Sequence, residues 1–173
     1  EGTYPLPEAQ LDRFFSKLLV KFPTASDLET ILDRTTEMNF PHAEPVLTGD
    51  RIIEMSRLAR QIPIADDVRR YGIALVLATH PEQAIAPPPT RQYVRYGASP
   101  RGSINLIHGA RAMALLHGRR YVLPADIAAL APDVLRHRLV MSYAALADGV
   151  TADTVIERVL SLVPAPRLEM AVE

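Results

Sequence analysis

GASPRGSINLIHGARAMALLHG, residues 97–118, holds the strongest helix signal in the chain. Ser99 is of the type whose hydroxyl caps a helix start, and Pro100 suits the first helical position, where no backbone N–H is needed. From there Ile104, Ile107, His108, Arg111, Ala112 and Leu115 recur at helical spacing. Gly118 supplies the left-handed residue on which helices commonly end. The spacing predicts a helix over 99–116. Arg101 stands out within it, because a cation in the first turn faces the positive end of the helix dipole and costs a few tenths to about 1 kcal/mol. Either the guanidinium is merely solvated, or an anion meets it together with the free N–H groups of the helix start.

Outward from this helix the same grammar holds on both sides. Upstream, Ala65-Asp66-Asp67 places acids in a first turn, and Val68, Tyr71, Leu75 and Ala78 make a stripe ending near His80-Pro81. Before it, Thr48 or Gly49 opens a helix carrying Ile52, Ile53, Met55, Leu58 and Ala59 and stopping before Pro63. Ser26-Asp27-Leu28-Glu29 matches a capping box for a helix running to about Thr36. These three helices read as consecutive members of a bundle. Between them and the central helix, Pro87-Pro88-Pro89 lacks backbone donors and predicts a loop over 81–96.

Downstream, Tyr121-Val122-Leu123 reads as a short extended piece, Pro124 opens a helix of about two turns, and Pro132 opens another. Thr151-Ala152-Asp153 caps a last helix with Val155, Ile156, Val159, Leu160 and Val163 on its apolar face, and 164–173 reads as a tail. At the front, Pro5 to Phe15 reads as a short helix, and Lys17 to Phe22 as a strand whose partners lie outside the chain. The opening residues, with no initiating methionine, read as the interior of something longer.

Composition narrows the function classes. The 173 residues are 48% hydrophobic, enough for one good core. A formal net charge of −1 supplies no global attraction for nucleic acid or an anionic membrane. The absence of cysteine removes disulfides and thiolate metal sites, which fits a cytoplasmic protein, and no apolar run approaches the roughly 20 residues a membrane span needs. His42, His80, His108, His117 and His137 show no metal-ligand spacing, so no metal site is expected. Arg111, Arg119, Arg120, Arg136 and Arg138 could form a small basic patch, but the apolar stripes through these segments favour packing over DNA reading.

Three blocks together carry a resemblance. They are Gly97-Ala98-Ser99-Pro100-Arg101, then Gly118 to Ile127, then Ala131 to Leu139. In this order and spacing they resemble the lid of MoxR-family AAA+ ATPases, and Glu1 to Phe14 resembles the stretch after that family's sensor 1 strand. The resemblance implies a mainly α fold: a small helical bundle, the AAA+ lid, preceded by a short helix and strand left over from the α/β core. It places the core remnant at 1–23, the lid at 24–163 and the tail at 164–173.

It further implies that Arg101 is the sensor 2 arginine, with Ser99 and Pro100 in the cofactor-binding turn, and that Arg13 is an arginine finger acting on the ATP of a neighbouring subunit. Both roles call for a permanent, planar, multi-donor cation. Without the resemblance, Arg13 reads as one half of a surface pair with Asp12 or Glu8. The implied whole protein uses ATP and Mg²⁺ and works as a chaperone-like ring, a hexamer. Its partners would be its own core domain, the neighbouring subunits and a von Willebrand factor A-type protein, with no nucleic acid and no membrane insertion.

The chain departs from a complete ATPase in lacking a G-x-x-x-x-G-K-[ST] loop and a strand ending in paired acids. Alone it is therefore expected to bind ATP weakly and not to hydrolyse it. The alternative reading is a free-standing helical interaction module with no nucleotide role.

Overall fold

The computed structural model describes residues 4, 6–36 and 42–167, and the chain divides into two compact units. The first comprises residues 1–17 with 58–173, and the second residues 18–57. In chain order the helices are α1 (Glu8–Leu11), α2 (Ala25–Thr36), α3 (Gly49–Gln61), α4 (Asp66–Leu77), α5 (Pro88–Tyr93), α6 (Pro100–Leu116), α7 (Pro124–Leu135), α8 (Tyr143–Ala147) and α9 (Ala152–Leu162). Two short strands, β1 (Val94–Tyr96) and β2 (Val140–Met141), complete the set.

The first unit is built on α6. It packs along α7, with α4 against both and α9 against α7. Leu75, Leu106, Ile127, Leu135, Val155 and Ile156 are fully buried between them. Ser99 caps α6 as its sequence predicts, accepting from the Arg101 N–H, and Gly118 follows its end at φ +67°. Thr151 caps α9 by accepting from Thr154 N–H. The two strands pair antiparallel, Val94 opposite Met141, and so join the segment before α6 to the one after α7.

Several expectations from sequence need correction. The Pro-rich stretch is not all loop: Pro88 and Pro89 occupy the first turn of α5, where their missing N–H groups would be unpaired anyway, and 94–96 continue as β1. The two short helices expected after Leu123 are one, with Pro132 inside it. Pro132 forfeits one backbone bond, but Ile127, Ala131, Val134 and Leu135 keep an unbroken helical stripe in the core.

The front helix spans only Glu8–Leu11, because Asp12 and the carbonyls of Phe14 and Phe15 are engaged by side chains of the site described below. Residues 17–22 form no strand; Lys17 instead donates its N–H to the Asp133 carbonyl at 2.8 Å. Of the expected tail, 164–167 are irregular and 168–173 lie outside the described residues, as does Pro5.

In the second unit, the box that starts α2 sits two residues earlier than expected. Thr24 N–H donates to Asp27 Oδ2 at 2.9 Å, and Asp27 N–H to Thr24 Oγ1 at 3.3 Å. An Asp three residues after a Thr does the work assigned to Ser26 and Glu29. The expected three-helix run is also corrected, since α2 and α3 contain no buried residue and only α4 enters the core. Amphipathic spacing says which face can be buried, not what buries it.

Leu106→Ala is accordingly expected to destabilise the protein by about 2–5 kcal/mol in urea unfolding, whereas Leu32→Ala should stay within roughly 0.5 kcal/mol. Equal losses would contradict this assignment of the core.

Candidate functional site

The turn before α6 is held by the end of α4. Buried Thr79 donates its hydroxyl to the Val76 carbonyl at 2.6 Å and accepts the Ala98 N–H at 3.0 Å. His80 Nε2 lies 3.0 Å from the Ala98 carbonyl. Gly97 is required here, since a Cβ would sit 2.7 Å from both the Thr79 carbonyl and the His80 ring. These contacts fix where Ser99 and Arg101 emerge. Neither Thr79 nor His80 carried any signal for this role in the sequence.

Asp12 meets them there. Its Oδ1 accepts from the Ser99 hydroxyl at 2.6 Å, and its Oδ2 from Arg101 Nη1 at 2.7 Å. Arg101 keeps its side chain 54% exposed. The anion that offsets a cation at the start of α6 is thus a carboxylate of the same chain, a solution that spacing alone did not reveal. Burial by itself pushes the Asp12 carboxyl up. The Ser99 hydroxyl and the Arg101 guanidinium, with Arg138 behind them, outweigh it and hold the group below its ordinary 3.8.

Arg138 backs the cluster. Its side chain is fully buried, and Nε stands 3.3 Å from Asp12 Oδ1 as an ion pair without hydrogen-bond geometry. Nη2 donates to the carbonyls of Asp12 at 3.1 Å and Phe14 at 2.6 Å; Nη1 donates to those of Phe15 at 3.3 Å and Val134. Burial pulls its proton affinity down, and Asp12 counters that. His137 Nε2 faces Arg138 Nη1 at 2.7 Å. Burial holds His137 below its ordinary value, and the same Nε2 also lies 3.2 Å from the Phe14 carbonyl.

Arg136, the third member of this run, bridges Asp153 at 2.9 Å, Asp133 and the Lys17 carbonyl. Arg119 pairs with Asp126 at 2.5 Å. Three of the five arginines considered as a basic patch are therefore committed to partners inside the chain.

Arg13 follows Asp12 in the exposed turn after α1. It forms no ion pair with another described residue, and the carboxylate of Asp12 is directed to Ser99, Arg101 and Arg138 instead. The structure brings Ser99, Arg101 and Asp12 together and leaves Arg13 one residue away, on the surface. A cleft of 560 Å³ opens beside them, lined among others by Lys17, Gly97, Ser99, Arg136 and His137.

Comparison with known proteins matches this architecture. The family model for the AAA lid domain fits residues 90–159, from α5 into α9. Chaperone MoxR1 of Mycobacterium tuberculosis is 38% identical over 168 residues, covering 97% of this chain and 44% of that protein. The chain belongs to the MoxR family and carries its AAA lid.

Protein MoxR of Paracoccus denitrificans is 30% identical over 153 residues, 82% of this chain and 45% of its own. A solved structure from Cytophaga hutchinsonii, described as a candidate ATPase, shares 35% identity at a TM-score of 0.89, over 96% of this chain and 51% of that one. The chain spans about half the length of the curated relatives it matches. Arg101 and Arg138 fall within the lid match, whereas Asp12 and Arg13 precede it.

Asp12→Asn should lower stability at neutral pH by on the order of 3 kcal/mol, because it leaves the buried Arg138 without a counter-charge. A depressed carboxyl stabilises fully above its unfolded value and loses that contribution as pH falls through the folded one. The difference in melting temperature between wild type and variant should therefore be widest near neutrality and close as pH drops past 3.8. A gap that does not vary with pH would refute the ion-pair account.

Proposed function

We propose that this chain is the lid and sensor 2 portion of a MoxR-type AAA+ ATPase, in which Arg101 reads the γ-phosphate of ATP and Arg13 serves as an arginine finger for the neighbouring subunit. The observation that carries the reading is the state of Arg101: half exposed at the start of a long capped helix, and already bound to an anionic oxygen. A donor set that holds a carboxylate through a guanidinium and a hydroxyl suits a phosphate oxygen equally well. Ser99 and Pro100 shape that turn, and the exposure of Arg13 leaves its guanidinium available to a partner.

The residues present do not supply the metal side of the chemistry. Among the described residues no group of three or more His, Cys, Asp or Glu could hold an ion. Mg²⁺ and the phosphate-binding loop are thus assigned to a core domain beyond this chain, with residues 1–23 as its end, 24–163 as the lid and 164–173 as a tail. When bound, Mg²⁺ supplies charge neutralisation on the phosphates. What this chain contributes is orientation and positive charge.

The whole protein is read as a hexameric, chaperone-like ring that couples ATP turnover to the remodelling or maturation of client proteins, with a von Willebrand factor A-type protein as partner. Among the described residues no helix is long and apolar enough to cross a membrane. The proposal places the ring in the cytoplasm, with no role for nucleic acid.

In the full-length protein, Arg13→Ala should reduce ATP turnover by roughly 10³-fold or more. Arg101→Ala should raise the KM for ATP and lower kcat together, because it removes binding that is present in the ground state and strengthens in the transition state. Normal turnover by both variants would sink the reading.

A further inference from the structure

Asp12 occupies a place that neither arginine explains. Its carboxylate binds Ser99 and Arg101, its main-chain oxygen accepts from Arg138, and its successor in the chain is Arg13. The two arginines bound to its carboxylate differ in need. Arg138 is buried and permanently charged, and Asp12 is its one carboxylate among the described residues; Arg101 is half exposed and keeps the rest of its donors free of other described residues.

We propose that Asp12 is a positioning residue that couples the two arginines: it holds Arg101 until a polyphosphate takes that side chain, and on releasing it moves onto Arg138 and resets the turn that carries Arg13. The inference rests on the assignment of Arg101 and Arg13 given above and adds the residue through which they respond to each other.

Three observations carry it. A phosphate on the remaining donors of Arg101 would lie against the Asp12 carboxylate, and like charges that close repel, so polyphosphate and Asp12 compete for Arg101. The displaced carboxylate has a destination, because Arg138 Nε stands 3.3 Å away, buried and without a hydrogen-bond partner. The movement also has a consequence: Arg138 pins the carbonyls of Asp12, Phe14 and Phe15, on both sides of Arg13. With the carbonyls on both sides held, a pull of the Asp12 side chain toward Arg138 is taken up between them, at Arg13. Occupancy of one nucleotide site would in this way reach the finger directed at the next.

The test compares ATP KM and kcat of the full-length assembly as wild type, D12N, R101A and the double variant. D12N should lower KM roughly three- to tenfold, since Arg101 no longer has a rival anion, and should lower kcat roughly ten- to a hundredfold, since Arg13 is no longer reset. In the R101A background, D12N should leave KM where R101A alone puts it, an outcome that a purely structural Asp12 does not produce. A KM that rises with D12N, or shifts equally in both backgrounds, overturns the coupling while leaving the sensor assignment standing. If R101A alone moves neither constant, the sensor assignment falls and the coupling with it. Should D12N not assemble, D12E, which keeps the charge for Arg138 but misplaces it against Ser99 and Arg101 and so weakens the rival contact, is read in the same way; an unchanged KM overturns the proposal.

Discussion

A buried guanidinium has no tolerable state without a counter-charge and acceptors, and Arg138 meets that demand with one carboxylate and four main-chain carbonyls. All but one of these acceptors belong to residues 12–15. The requirement therefore draws a segment far away in sequence onto the end of α7 and fixes its path. Lys17 continues the attachment, with its N–H on Asp133 and its carbonyl on Arg136. Residues 12–17 run as an irregular strap because their polar groups are taken by arginine side chains and by the Asp133 carbonyl of α7 rather than by a neighbouring ladder.

The same carboxylate settles the electrostatics at the start of α6. A cation in a first turn opposes the helix dipole, whereas an acceptor oxygen facing that turn complements it. Asp12 brings such oxygens to Ser99 and Arg101 from outside the helix, so the local conflict in Gly97–Arg101 disappears once the distant segment is in place. Thr79 and His80 align the turn from the other side. The backbone turn from which Arg101 emerges is thus set by two separate elements.

Much of the fold was readable where periodicity and capping coincided. Ser99-Pro100, Thr151 and Gly118 mark real helix ends because a cap is a local transaction between residues a few positions apart. Pro132 and Pro88-Pro89 misled, since a proline signals a helix start or a break with equal force, and only the tertiary burial around it decides between them. The unfavourable charge of Arg101 at a helix start was legible in the sequence, but the carboxylate that offsets it was not. Asp12 was seen only as a local partner for Arg13, and Arg138 only as part of a patch. Their actual relation spans more than a hundred residues of sequence, which no spacing rule can report.

The use of donors separates the arginines by function. Arg138 and Arg136 each distribute their N–H groups over several acceptors in fixed directions, a task for a rigid fork that a lysine ammonium could not perform. Removing Arg138 would strand the buried Val134 carbonyl, and removing Arg136 would unpair two partly exposed carboxylates, so both hold the packing together. Arg101 directs one nitrogen to one carboxylate oxygen and holds no other described acceptor, in a side chain that is half exposed. Among the cations of this cluster it alone can change partner without undoing the packing. On the proposed reading, exchanging an internal anion for an external one needs such a residue at the edge of the site and a fully committed one behind it, and the pair Arg101 and Arg138, joined by Asp12, has that form.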